Sequence, residues 1–420
     1  MICVECVNID SIKKFISDIG RKAKCKYCEE ENVSADVEIV FTKIEKQAAD
    51  VLRPVEELSY YEHTMVFQAS SSEPHVFAAY DFFDESILCV EASEDLIEWL
   101  PSEYSQTSEG NEALFALDDG TLDDNVIASK WRRFIDGVNH GYRYFNKDAG
   151  NFLDILFETI SIEQRLKPEV VKIFGSDDFF YRARLANTRS EIESIEEHPH
   201  KELGPVPKER AGNQRMTPAG ISSMYCALER SICLSELRPI VGDTVVSVKF
   251  KPTSQLKFLD LEQLEKLDVG DLDFLSDGFY QHANACEFLK DMVFKLSKPL
   301  AREDELGYLS TQVFFEYLRV KYNKEVDGIY FPSVQCDGDG YNIALFPESS
   351  SVLSVDGKEE VFATPNYDFL NDVKPKLQVV EKSLIFHKIK SVAVESVDEP
   401  DSFKLVTDED TLKKIYGRRA

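Results

Sequence analysis

Gln214-Arg215-Met216-Thr217-Pro218-Ala219-Gly220, with the run Ile221 to Glu236 behind it, decides how the rest of the chain reads. Pro and Gly two residues apart mark a tight loop. Ile221 to Cys226 mixes small and apolar residues and predicts a short strand. Glu229 to Leu237 predicts a helix, stopped by Pro239. Three side chains with usable chemistry stand along this loop, strand and helix. Arg215 offers a planar fork that grips a phosphate or carboxylate in bidentate fashion. Tyr225, near the end of the strand, offers a ring face to a flat ligand. Glu236 lies close to the end of its helix, where a carboxylate meets the negative pole of the dipole. Helix stability is therefore a poor reason for it. Residue types alone also fit a surface Arg, a half-buried Tyr and a solvated Glu.

Three further blocks flank this stretch in order. Upstream is Phe180-Tyr181-Arg182-Ala183-Arg184; downstream are Asp327-Gly328-Ile329-Tyr330-Phe331-Pro332-Ser333 and Gly340-Tyr341-Asn342-Ile343-Ala344-Leu345-Phe346. Together they resemble the RES family, whose usual signature is a Gly-Arg-x-Asn-Pro-x-Gly loop, then a Tyr, then a Glu, with a later Asp-Gly-Ile segment supplying a Ser. Arg215, Pro218, Gly220, Tyr225 and Glu236 match in identity and spacing. Gln214 stands where Gly is usual and Thr217 where Asn is usual. The resemblance runs over residues 176 to 350. Tyr308-Leu309-Ser310-Thr311-Gln312 also resembles RES sequences, and reads as scaffold, because Thr and Gln commonly brace a helix start.

The resemblance implies an ADP-ribosyltransferase-like α/β domain that consumes NAD+. It implies a catalytic set of Arg215, Tyr225, Glu236 and Ser333. Glu236 would hold a nicotinamide-ribose hydroxyl and stabilise the cation, and Tyr225 would stack on the nicotinamide. Arg215, with Arg182 or Arg184, would clamp the pyrophosphate; the two share one strand and face. Ser333 would meet the ribose or the incoming nucleophile, and Asn342 would be a weaker ribose contact. The plainer readings are that Ser333 is a turn residue after Pro332 and Asn342 a strand-edge amide. Water as nucleophile makes a glycohydrolase, inorganic phosphate a phosphorylase, and a protein side chain a transferase. A rival reading is a non-enzymatic nucleotide-binding sensor, supported by Gln214 and Thr217.

Length and composition set bounds. A chain of 420 residues holds two or three domains, and 43% hydrophobic content argues for folded ones. The formal charge of −28 disfavours nucleic acid as a partner, since neutralising phosphates needs Lys and Arg. Nine cysteines without a secretory apolar region suggest a reducing cytoplasm. No apolar run approaches a membrane span.

At the amino terminus, Cys3-x-x-Cys6 and Cys25-x-x-Cys28 are spaced like a four-thiolate structural zinc site. Between them Ile12, Phe15, Ile16 and Ile19 recur at helical spacing. Residues 34–165 read mainly helical, with expected helices at Val37 to Ala49, Ser93 to Leu100, Val126 to Val138 and Asn151 to Ile160, and a turn-rich stretch at 70–74. With Trp131-Arg132-Arg133-Phe134 and His140-Gly141-Tyr142-Arg143-Tyr144-Phe145, this region resembles the HEPN-type region of some RES proteins. Arg133 and His140 would be its ribonuclease pair, the least favoured reading, because Gly137 is expected to interrupt their helix. His140 and Arg143 otherwise read as cations at a helix end. Glu191 to His200 reads as a solvated connection.

The expected architecture is therefore α+β and multidomain: a zinc ribbon at 1–33, a HEPN-like helical domain at 34–165, a RES domain at 166–350 and an extension at 351–420. Strands are expected at Thr244 to Phe250, Ser254 to Leu259, Leu384 to Phe386 and Ser391 to Val394, and helices at Ala283 to Leu296 and Tyr308 to Tyr322. Expected partners are NAD+ as substrate, an antitoxin or regulatory protein, and a second copy of the chain. The family resemblance suggests a regulated toxin or antiphage-defence effector.

Overall fold

Backbone contacts divide the chain into two units, Met1–Arg132 with Leu267–Phe288, and Arg133–Lys266 with Leu289–Ala420. The structure, a computed structural model, describes residues 1–68, 76–84, 86–118, 124–297, 306–333, 340–361 and 374–392. The stretch expected to turn at 70–74 and the end of the strand expected at 391–394 lie outside these. The chain mixes helix and sheet throughout.

In the first unit, a three-stranded sheet of Ile2–Cys3, Glu31–Ala35 and Arg21–Lys24 lies beside the helix Asp10–Ile19. That helix buries Ile12 and Ile16 and leaves Ile19 exposed. The helix Val37–Val51 starts where Asp36 accepts the Glu38 N–H at 3.0 Å, satisfying one of the orphan donors of its first turn. The region expected to be mainly helical also forms a second small sheet, Leu52–Pro54, Leu114–Leu117 and Val76–Ala78.

Residues 267–288 were expected inside the RES domain, yet they fold with the amino-terminal unit. Leu275, Phe279 and Ala283 share a core with Ile2, Ile12, Phe41 and the thiols of Cys3, Cys6 and Cys25. Asp273 accepts the Ser11 N–H at 2.9 Å, in the first turn of the helix Asp10–Ile19. The two units part between Arg132 and Arg133, and residues 267–288 go with the first.

The second unit is built on an eleven-stranded sheet. Its strands are β1 (Val171–Phe174), β2 (Phe180–Leu185), β3 (Tyr225–Ala227), β4 (Thr244–Pro252), β5 (Leu256–Asp260), β6 (Gly328–Pro332), β7 (Tyr341–Leu345), β8 (Val352–Leu353), β9 (Glu360–Val361), β10 (Leu377–Val379) and β11 (Ile385–Lys388). The order is β9-β8-β10-β4-β2-β3-β7-β6-β5-β1, with β11 also paired to β4. Only β5–β6 and β8–β10 are parallel among these pairs. Alternation in β4 sends Val246, Val248 and Phe250 into one core with Phe180, Phe258, Tyr330 and Ile343.

The strand expected from Ile221 begins only at Tyr225. Before it, side chains take the backbone's role: Ser350 Oγ accepts the Met224 N–H at 2.9 Å, and the Ser222 and Ser223 hydroxyls donate to the Val206 and Leu345 carbonyls. Glu191 to His200 is corrected as well. It is mostly a helix, α1 (Arg189–Glu197), nucleated by a capping box in which Glu191 accepts the Thr188 N–H at 2.9 Å. His200 is buried and bonds Glu359 at 3.0 Å, so it is not a solvated linker. Two more helices matter below, α2 (Arg230–Glu236) and α3 (Leu309–Tyr322).

Candidate functional site

Residues 213–220 form the loop that carries Arg215. Gly220 sits at φ +88°, a region that disfavours any side chain, and its N–H reaches the Ala211 carbonyl at 2.9 Å. Gln214, at the position where Gly is usual, needs no left-handed backbone. Its N–H bonds the Thr217 carbonyl at 2.9 Å, and the Thr217 hydroxyl faces its side-chain carbonyl at 3.5 Å. The two departures from the family pattern thus contact each other.

Three side chains hold this loop from outside. Tyr225 Oη accepts the Met216 N–H at 2.9 Å. Gln312 on α3 donates to Asn213 Oδ1 at 2.7 Å and to the Gln214 carbonyl at 2.8 Å. Thr311 donates to the Arg215 carbonyl. Thr311 braces its own helix start as expected, through the Tyr308 carbonyl at 2.8 Å, and with Gln312 it also braces the loop that aims Arg215. Their resemblance to RES sequences was the available signal; the partner, nearly a hundred residues away, was not readable. Among the described residues the half-buried Arg215 guanidinium has no partner. Burial pushes the Tyr225 phenol up to about 12, against the pull of Thr217, the Met216 N–H and Arg215. It is a neutral hydrogen-bonding group at physiological pH.

The second element of the site is Glu236, the last residue of α2. Ser333 Oγ and Asn342 Nδ2 both donate to its Oε1 at 2.6 Å. Oε2 has no partner among the described residues. The sheet makes this meeting possible. β6 and β7 pair in register, with Phe331 opposite Asn342, and the Ser333 N–H bonds the Gly340 carbonyl at 2.7 Å. A Cβ on Gly340 would lie 2.3 Å from Ile232 Cδ1, so α2 rests directly on the start of β7. Gly328 serves the same pairing, since a Cβ there would meet the Ala344 carbonyl oxygen at 2.0 Å.

The two arginines of β2 part company. Arg184 pairs with Glu202 and is committed to it. Arg182 Nη1 is enclosed and has no hydrogen-bond partner among the described residues. Burial weakens the hold of its guanidinium on its proton, while the neighbourhood of Cys226, Cys233 and Tyr225 partly offsets that. A hydrogen-bond acceptor is what this nitrogen lacks.

A second cluster lies in the first unit. The sulfurs of Cys3, Cys6, Cys25 and Cys28 all lie within 4.8 Å of one another, with neighbours at 3.6–3.7 Å. A tetrahedral site with metal–sulfur bonds of about 2.3 Å has edges of about 3.8 Å, so the four thiols fit one ion. Burial pushes the Cys3 and Cys6 thiols up. Burial acts on Cys25 in the same direction, but N–H groups of Cys28 and Tyr27 outweigh it and bring Cys25 to about 6. Tyr27 also donates its hydroxyl to Asp95 at 2.9 Å, which ties down the turn between Cys25 and Cys28.

Arg133 and His140 are both exposed on the helix Asp124–His140, which runs through Gly137 without the expected break. One Gly costs a helix about 1 kcal/mol against Ala, too little to end it. At its end Arg143 donates to the Val138 carbonyl at 3.4 Å and the Asn139 carbonyl at 3.2 Å, so it acts as a cap.

Residues 187–364 match the family model described as the RES domain. The chain carries a RES domain. No curated protein and no solved structure matches the chain. The matched segment contains the Arg215 loop, Tyr225, Glu236, Ser333 and Asn342. The RES sheet extends beyond it on both sides, since β2 with Arg182 precedes the match and β10 and β11 follow it. Among the described residues no helix is long and apolar enough to cross a membrane.

Proposed function

We propose that the RES domain consumes NAD+ by cleaving the bond between nicotinamide and ribose. The observation that carries this reading is the Glu236 carboxylate, with Ser333 and Asn342 both on Oε1 and Oε2 left without a partner among the described residues. Nicotinamide leaves a cationic pyridinium as a neutral molecule, so its departure needs no general acid. The carbon it leaves becomes an oxocarbenium-like centre, which a fixed carboxylate stabilises. One carboxylate therefore suffices, unlike the pair of an ordinary glycosidase. Glu236 Oε2 takes a hydroxyl of the nicotinamide ribose, and Ser333 and Asn342 keep the carboxylate from turning away. Arg182 and Arg215, both lacking an anionic partner among the described residues, take the pyrophosphate. Tyr225 pins the Arg215 loop through its hydroxyl while its ring remains a face for nicotinamide.

Water or inorganic phosphate then adds to the ribose carbon. Water gives ADP-ribose and releases a proton; phosphate gives ADP-ribose-1″-phosphate. Gln214 and Thr217, the departures that favour a non-catalytic sensor, contact each other within the loop that carries Arg215, which supports the catalytic reading. Loss of NAD+ harms a cell, so the enzyme acts as a regulated toxin or defence effector, restrained by a partner protein or by the first unit. Cys3, Cys6, Cys25 and Cys28 hold a structural zinc ion that fastens the first unit. Mass analysis of the products formed from NAD+, with and without phosphate, tests the reading. ADP-ribose or its 1″-phosphate is the expected product. A protein carrying ADP-ribose, with no free product, would make the domain a transferase instead.

A further inference from the structure

Glu236 ends α2, and the opposite end of that helix is tied to a part of the chain that the RES match does not include. Arg230, its first residue, donates through Nη1 to Ser247 Oγ on β4 and through Nη2 to the Ser383 carbonyl at 3.1 Å. Its guanidinium also lies 5.0 Å from the ring centre of Tyr181 on β2. Ser247 is fully buried, and its hydroxyl meets His387 Nε2 on β11 at 2.7 Å. The hydroxyl accepts from Arg230 and keeps its own proton, which it can donate to an unprotonated His387 Nε2. Burial and the nearby Arg230 charge favour that neutral ring. The turn before β11 is anchored in turn: Ser383 Oγ accepts the Lys249 N–H at 3.2 Å, and the Val380 N–H reaches the Lys249 carbonyl at 2.9 Å.

We propose that His387 is a positioning residue for Glu236, acting through Ser247 and Arg230 to fix the amino-terminal end of α2. The proposal rests on the NAD-consuming reading for its effect on rate. α2 has seven residues, a rod of about 10 Å, so a tilt at Arg230 is carried to the carboxylate at its other end. Segment 374–392 is thus a working part of the active domain, which extends past residue 364. A carboxylate displaced by about 1 Å loses rate far more than it loses substrate affinity.

The test uses the full chain with His387→Ala, His387→Gln and Ser247→Ala. Gln offers an acceptor oxygen near the place of Nε2, and Ser247→Ala removes the shared hydroxyl with the loss of one atom. Expected are a fall in kcat of about tenfold for His387→Ala and Ser247→Ala with KM within about twofold, and recovery of most of the rate in His387→Gln. Amides 233–237 should exchange faster in both Ala variants and not in the Gln variant. Unchanged kcat in a folded Ala variant, or a Gln variant as slow as His387→Ala, would overturn the proposal. If His387→Ala does not fold, Ser247→Ala with normal kcat and normal exchange overturns it alone. If the wild-type chain consumes no NAD+, that reading fails and the exchange data still decide this one: unaltered protection of 233–237 in every variant overturns it.

Discussion

At the residue scale, Tyr225 separates two kinds of contribution. Its hydroxyl holds the Met216 N–H, while the role proposed for its ring is to stack on nicotinamide. Tyr225→Phe keeps the ring and loses the bond, which costs about 1 kcal/mol of stability and loosens the loop carrying Arg215. KM for NAD+ should rise several-fold while kcat changes less. A Phe variant with unchanged KM would mean that the hydroxyl does not position the loop. Motif spacing singled out Glu236, Ser333 and Asn342 in the sequence, but not that Ser333 and Asn342 would both donate to the Glu236 carboxylate. The division between Arg182 and Arg184 was not legible, because it depends on Glu202 arriving from a helix later in the chain. The bracing of the Arg215 loop by Thr311 and Gln312 was hidden for the same reason.

At the scale of elements, two glycines let β6, β7 and α2 approach closely enough for Ser333 and Asn342 to share one carboxylate oxygen. The obstacles they avoid differ in kind. A Cβ at Gly328 meets a backbone carbonyl, whereas one at Gly340 meets the end of the Ile232 side chain, which can move. Gly328→Ala should therefore lose about 3 kcal/mol or more and Gly340→Ala nearer 1 kcal/mol, as read from urea midpoints. The reverse ranking would contradict the account. β11 adds a dependence on pH. The His387 pKa is lowered in the folded chain from its ordinary value of 6.5. On acidification the unfolded chain takes up that proton first, so the contribution is intact above pH 6.5 and is lost as pH falls through the folded value. Between pH 7 and pH 5 the urea midpoint of the wild type should fall more than that of His387→Gln, and equal falls would refute it. Helix periods and alternation in β4 were readable from local pattern. The late start of β3 was not, because Ser222, Ser223 and Ser350 satisfy the backbone there in place of a strand.

At the scale of the whole molecule, the chain leaves the second unit after Lys266, contributes Leu267–Phe288 to the first, and returns at Leu289. A chain begun at residue 161 would expose Leu275 and Phe279, which are buried in the first unit's core. It should aggregate, as size-exclusion chromatography would show, and a monodisperse folded product would contradict this. Sequence spacing located the four cysteines and the RES blocks, but it carries no sign of an excursion between β5 and α3. The same core joins the thiols to that excursion. Chelation that removes one zinc ion per chain should raise amide exchange in residues 2–35 and 267–288 together. Exchange rising in the first stretch alone would break the link.

The most direct measurement is release of nicotinamide from NAD+ by the purified full chain, with and without inorganic phosphate, beside Glu236→Ala. The account predicts release by the wild type and a loss of at least a hundredfold in the variant, roughly the weight of a preorganised charge-stabilising group. Dependence on phosphate would name a phosphorylase, and independence a glycohydrolase. Release at equal rates by both proteins, or by neither, would contradict the assignment of Glu236 as the group that carries the reaction.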